Sequence, residues 1–86
     1  MTDRTYPQTL ARVSLDERRE ISSDAAALHF SGRLHQRGMM VLAHRAAGDS
    51  HRQIAAVLGC SRQWVRQIEV DALATLNAAA ADQVTA

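Results

Sequence analysis

Four polar side chains suited to nucleic-acid recognition stand close together in the second half of the chain. They are Arg62, Gln63, Arg66 and Gln67. Arginine forms paired hydrogen bonds with guanine in the major groove of DNA, and glutamine does so with adenine. Val65 and Ile68 have the spacing of a buried helix face, so the four polar residues are expected on the opposite, exposed side. An ordinary solvated helix face is the alternative interpretation.

The residues before this segment predict a short helix and a tight turn. Ser50 and Gln53 have the spacing of a capping box, which predicts a helix from His51 to about Leu58. Gly59 follows at once, where the backbone needs a residue that tolerates a positive φ. The helix over 51–58 should therefore end abruptly.

A second helix is predicted directly after the turn. Ser61 is a good N-cap, so this helix should begin at Arg62. Ala55 is the small residue required where the two helices cross. Two helices at this spacing form a helix-turn-helix, whose second helix enters the major groove. The predicted structural positions of the motif are Ile54, Ala55, Leu58, Gly59, Val65 and Ile68.

Charge is distributed unevenly along the chain. All ten basic residues are arginine, and six of them lie between Arg33 and Gln67 against a single aspartate. Acidic residues outnumber arginines on both sides of this segment. A basic segment of this kind fits a phosphate backbone. Side chains within it predicted to hold DNA phosphates are Ser61, Arg52 and Arg45.

The remaining pattern predicts an all-α fold, a small bundle of four or five helices with the helix-turn-helix at its C-terminal side. Ser14 and Glu17 have capping-box spacing, so a helix should begin at Leu15, with Leu28 and Phe30 continuing its apolar stripe. Whether the Ser-Ser-Asp triplet that begins at Ser22 divides this helix stays open. A further helix is predicted over 33–47, with Arg45 on its outer side and Gly38 weakening its first half.

The domain organisation follows from these elements. Residues 1–13 should be a flexible lead-in. A single helical domain should span 14–76, made of N-terminal helices over 14–32 and the helix-turn-helix unit over 33–76. The alanine-rich stretch 77–86 should be a frayed tail.

Several classes of function are not expected. Cys60 is the single cysteine, and the four histidines have no ligand-like spacing, so neither a metal site nor a cofactor is predicted. No constellation of catalytic residues is visible, so the protein should not be an enzyme. The sequence contains no apolar run long enough for a membrane and no secretion signal at its start, which predicts a cytoplasmic protein. Trp64 is expected to pack in the core or on the N-terminal helices, and contact with a sugar-phosphate is the alternative.

One stretch resembles a known family. The run SRQWVRQIEVDALATL resembles the end of region 4 of housekeeping-type sigma factors of bacterial RNA polymerase, with the pattern S/T-R-x-x-V/I-R-Q-I-E-x-x-A-L-x-x-L. Upstream, QIAAVLGCS is similar to the preceding turn of that family, and the resemblance spans about residues 34–76. The matching positions are Ser61, Arg62, Val65, Arg66, Gln67, Ile68, Glu69, Ala72, Leu73 and Leu76.

The resemblance implies roles for particular residues and a bacterial or phage origin. Arg62 and Gln67 would read bases of a −35-like element, and Arg66 would touch phosphate or meet an activator. The family usually has Glu at the position of Gln63 and Arg at that of Trp64, which implies a different preferred sequence. Nothing here resembles the promoter-opening region, so the chain is not a complete sigma factor.

Together these patterns predict a small sequence-specific regulator of transcription that binds double-stranded DNA. Base reading is assigned to Arg62, Gln63 and Gln67. One module contacts little DNA, so a second copy of the chain or a docked RNA polymerase is expected to supply the remaining contacts. Two alternatives stay open. The domain could bind polymerase or another regulator without reading DNA, or it could be the DNA-binding half of a split sigma factor.

Overall fold

The fold of residues 5–85, the part of the chain described by the computed structural model, is all-α. Side chains are described for residues 5–82, and residues 1–4 of the predicted lead-in lie outside the description. Within this range there are four helices and no strand, which confirms the predicted fold class. The helices are α1 (Leu15–Phe30), α2 (Gln36–Ala46), α3 (His51–Leu58) and α4 (Arg62–Thr85).

Helix α1 is continuous, which answers the question left open by the Ser-Ser-Asp triplet. Ser14 is its N-cap, and its hydroxyl accepts a hydrogen bond from the Glu17 amide at 3.2 Å, as predicted. Ile21 and Ala25 are its buried residues. Phe30, expected on the same stripe, is 83% exposed. Because Phe30 comes nine residues after Ile21, at about 100° per residue it points to the opposite face.

Helix α2 begins three residues later than predicted. Its N-cap is His35, whose Nδ1 accepts a hydrogen bond from the Arg37 amide at 3.0 Å. Gly38 lies inside this helix and is buried. A Cβ atom at Gly38 would stand 3.2 Å from the Cβ of Ala72 in α4. The glycine therefore allows α2 and α4 to approach closely, which offsets its low helix propensity.

The main hydrophobic core includes residues of the lead-in that was predicted to be flexible. Tyr6 and Leu10 are buried, and the Tyr6 backbone exchanges hydrogen bonds with the side-chain amide of Asn77 at 2.6 and 3.0 Å. The prediction of a loose lead-in is therefore wrong for residues 5–13, because this aromatic-poor chain uses them to complete its core. The cluster contains Tyr6, Leu10, Ile21, Ala25, Leu34, Leu42, Ala72, Leu73 and Leu76.

The prediction of a frayed tail over 77–86 is also wrong for residues 77–85, the part of it that the structure describes. Helix α4 continues to Thr85, and Ala79 is buried. Farther along, Asp82 accepts a hydrogen bond from the guanidinium of Arg33 at 2.9 Å. These contacts hold the end of α4 against the start of the helical unit. No helix within residues 5–85 combines the length and apolarity needed to cross a membrane.

Candidate nucleic-acid interface

The turn between α3 and α4 has the predicted geometry. Ser50 and Gln53 form a complete capping box at the start of α3. Gly59 ends the helix in the left-handed region, with φ 70° and ψ 36°. Ser61 then begins α4, and its hydroxyl accepts a hydrogen bond from the Trp64 amide at 3.1 Å. Local sequence signals therefore determine both sides of the turn.

A second, smaller core holds α2, α3 and α4 together. It consists of Val41, Ile54, Ala55 and Val65, with Leu58, Cys60 and Ile68 packed against it. Ala55 is 6% exposed and Val65 is fully buried. The three helices thus share one interior beneath the turn, which fixes the orientation of α4 relative to α3.

The first two turns of α4 present a polar surface, termed here the α4 face. It consists of Arg62, Gln63, Arg66 and Gln67, all of which are exposed. No acidic residue occurs between Arg62 and Gln67. The amide nitrogen of Gln67 donates a hydrogen bond to Asp71 at 2.9 Å. Its side-chain oxygen and second N–H can still face a ligand, so this contact orients the amide without blocking it.

Two of the predicted phosphate-binding residues lie at the surface near the α4 face. Arg52 is exposed in the first turn of α3, and Ser61 is exposed at the start of α4. The Ser61 oxygen already accepts the capping bond, but its hydroxyl hydrogen can still be donated. Both side chains are accessible to a polyanion.

The prediction that Arg45 holds phosphate is wrong, because Arg45 is buried. Its Nε donates a hydrogen bond to Glu69 at 2.9 Å, and its Nη1 donates to the carbonyl of Asp49 at 3.0 Å. Arg45 follows Val41 by four residues and Leu42 by three, and this spacing places it on the buried face of α2. That spacing was the available signal for its burial.

Glu69 is the structural residue that sequence reasoning missed. Its side chain is 1% exposed and lies where four segments of the chain meet. Besides Arg45 of α2, it accepts a hydrogen bond from the Leu10 amide at 3.3 Å and contacts His51 Nε2 of α3 at 3.2 Å. A single carboxylate therefore connects the lead-in, α2 and α3 to α4.

Arg18 of α1 extends this polar cluster. Its guanidinium donates to the carbonyls of Leu10 at 2.7 Å and Val13 at 2.9 Å. Partial burial lowers the pKa of Arg18; the nearby charge of Arg45 lowers it further, and Glu69 opposes the change. These carbonyl bonds hold the lead-in in place above α1.

Trp64 was predicted to pack in the interior, but it is 49% exposed. It lies one position before the buried Val65, at the edge of the α4 face. Its indole forms one wall of an open cleft of about 480 Å³ between the start of α2 and the turn after α3. The residues that line this cleft include His35, Arg37, Met40, Leu58, Cys60 and Trp64.

Comparison with known protein families agrees with this geometry. Residues 32–72 match the family model described as a homeodomain-like domain. The match spans α2, α3 and the first half of α4, and it supports a helix-turn-helix DNA-binding domain. Searches of curated proteins and of solved structures gave no match. The match and the geometry of α3, Gly59 and α4 together support a helix-turn-helix domain over residues 32–72.

Proposed function

We propose that this protein is a sequence-specific regulator of transcription that inserts the start of α4 into the major groove of DNA. One observation carries the proposal. The α4 face is exposed, contains no acidic residue, and begins directly after a glycine turn that fixes its direction. A recognition helix meets base edges with its N-terminal residues, and the α4 face occupies that part of the helix.

Base reading falls to Arg62, Gln63 and Gln67. Arginine can pair with the O6 and N7 atoms of guanine, and glutamine with the N6 and N7 atoms of adenine. The bond from Gln67 to Asp71 supports this role because it restrains the rotation of the amide before DNA arrives. An amide that is already oriented loses less conformational freedom on binding.

Phosphate binding falls to Arg66, Arg52 and Ser61, whose side chains are exposed around the α4 face. Arg45 is excluded because it is buried against Glu69. Such contacts position the helix without reading sequence. A single module of this size contacts too little DNA for high specificity. We therefore propose that a second copy of the chain, or an RNA polymerase engaged through a sigma-like surface, completes the complex.

The role proposed is binding rather than catalysis, in the cytoplasm where bacterial or phage DNA is located. Selection of bound duplexes from a random DNA pool tests it. Enrichment of a −35-like element supports a sigma-like mode with polymerase, and enrichment of a palindrome supports a homodimer. Absence of enrichment overturns sequence-specific binding and favours a domain that contacts only proteins. Arg19→Ala, an exposed change on α1, is the control variant and should select the same sequences.

A further inference from the structure

The cleft beside Trp64 is a part of the surface that the α4 face does not include. Polar and apolar groups line it together, since His35 and Arg37 are exposed and Met40 and Leu58 are partly buried. No aspartate or glutamate of the described residues lines it. A cleft with this lining suits a ligand that is anionic on one side and apolar on the other. A sugar–phosphate strand has both properties.

His35 is held in an orientation that favours an anion. Its Nδ1 accepts the capping bond from the Arg37 amide at 3.0 Å. In the neutral imidazole the proton must then reside on Nε2, which remains available as a donor. The helix cap thereby fixes both the tautomer and the direction of the ring. Arg37 follows two residues later and is exposed, and among the described residues no carboxylate pairs with it.

The position of the cleft around α4 shows on which side of the α4 face it lies. Trp64 and Glu69 are five residues apart, so they lie about 140° apart around the helix, with Val65 and Ile68 between them on the buried side. Glu69 contacts His51 at the start of α3, whereas Trp64 borders the start of α2. The α4 face occupies the arc between these two edges. This arrangement puts Arg37 of α2 on the Trp64 side of the α4 face and Arg52, the neighbour of His51 in the first turn of α3, on the Glu69 side.

The dimensions of DNA match this arrangement. The major groove is about 12 Å wide, and a helix with its side chains is about 10–12 Å across, so a helix in the groove approaches both phosphate strands. We infer that the cleft binds the sugar–phosphate strand on the side of the groove opposite the strand held by Arg52. Arg37 and His35 bind its phosphates, and the Trp64 indole packs against a deoxyribose. This inference rests on the proposed function.

Trp64 also provides a direct measurement, because it is the only tryptophan of the chain. Its fluorescence should change when the duplex selected above is added to the wild-type protein. In parallel, a dye on the duplex reports binding independently of the cleft. Binding without any change in Trp64 emission overturns the inference and leaves the proposed function intact. Failure of the labelled duplex to bind at low salt overturns both.

Arg37→Ala tests the contribution of the arginine that lines the cleft. Loss of one phosphate contact should lower the salt slope of binding by about 0.9, which corresponds to roughly eightfold weaker binding at 0.1 M salt. Arg33→Ala is the matched control, because Arg33 bonds to Asp82, about 30 Å along α4 from Arg62. The control should leave the slope unchanged. An unchanged slope for Arg37→Ala, or an equal fall for both variants, contradicts the inference.

Phosphate ethylation interference locates the two strands. In the wild type, modification should interfere on both strands that border the groove. In the Arg37→Ala variant, ethylation of one strand should no longer weaken protein binding. In the Arg52→Ala variant, ethylation of the other strand should no longer weaken it. Relief on the same strand by both variants would overturn the assignment of the cleft to the opposite strand.

Discussion

Arg45 and Glu69 form an ion pair in the interior of the helix-turn-helix unit, with Nε 2.9 Å from Oε1 and the Glu69 side chain 1% exposed. The pair connects α2 to α4, and the same carboxylate contacts the lead-in and α3. It orients the helix that we propose reads DNA, although neither residue touches the ligand.

Glu69→Ala should be strongly destabilising. The change leaves the Arg45 guanidinium buried without its carboxylate, and removing one partner of a buried pair costs about 3–5 kcal/mol. Urea denaturation followed by circular dichroism measures the loss. The control is Asp71→Ala, two residues later but exposed, which should change the free energy of unfolding by less than about 0.5 kcal/mol. Similar small losses for both variants would mean that the pair does not hold the helices.

Ala55→Leu should destabilise the protein by about 1–3 kcal/mol. Ala55 lies in the small core with Val65, where a larger side chain forces the helices apart. Ala56→Leu introduces the same side chain one position later, on the exposed side of α3, and should have little effect. Thermal denaturation compares the two. If the Ala55 variant melts at the wild-type temperature, α3 and α4 do not cross closely at this residue.

Gly59→Val should destabilise the protein through the backbone alone, since nothing lies within 4 Å of a Cβ at this position. The left-handed conformation costs an L-residue about 1–2 kcal/mol, and a β-branched residue adopts it least readily. Gly59→Asn should be milder because asparagine tolerates this region. The melting temperature should be highest with Gly59, lower for Gly59→Asn and lowest for Gly59→Val. Equal values for all three would show that Gly59 does not need its positive φ.

The sequence predicted well those features that neighbouring residues determine. Capping at Ser50 and the turn at Gly59 depend on contacts over a few positions, and both have the predicted form. The ion pair depends instead on residues 24 positions apart, so no local spacing reveals it. The burial of Arg45, by contrast, could have been inferred from its spacing after Val41 and Leu42, but its partner could not.

The ends of the domain were mispredicted for a similar reason. Tyr6 and Asn77 are 71 positions apart, yet their mutual hydrogen bonds order both the lead-in and the second half of α4. Neither residue carries a local pattern that indicates a distant partner. The burial of Trp64 was predicted from its large apolar side chain. Its position around the helix, beside the α4 face, instead leaves it half exposed.

Arg52→Ala should weaken binding to all DNA equally. Its side chain lies on α3, outside the α4 face, where phosphate is the expected partner. Titrations at several salt concentrations should show a slope lower by about one on both the selected duplex and a scrambled one. The control is Arg19→Ala on α1, which removes the same charge and should preserve the slope. A loss confined to the selected duplex would assign Arg52 to base reading instead.

The central claim, that the α4 face reads bases, is tested most directly by titrating Arg62→Ala against the selected and the scrambled duplex. Removal of one bidentate base contact should cost about 1–3 kcal/mol on the selected duplex and relax the sequence preference at one position. Binding to the scrambled duplex should decrease much less. Equal losses on the two duplexes would contradict base reading by Arg62 and leave it a phosphate contact.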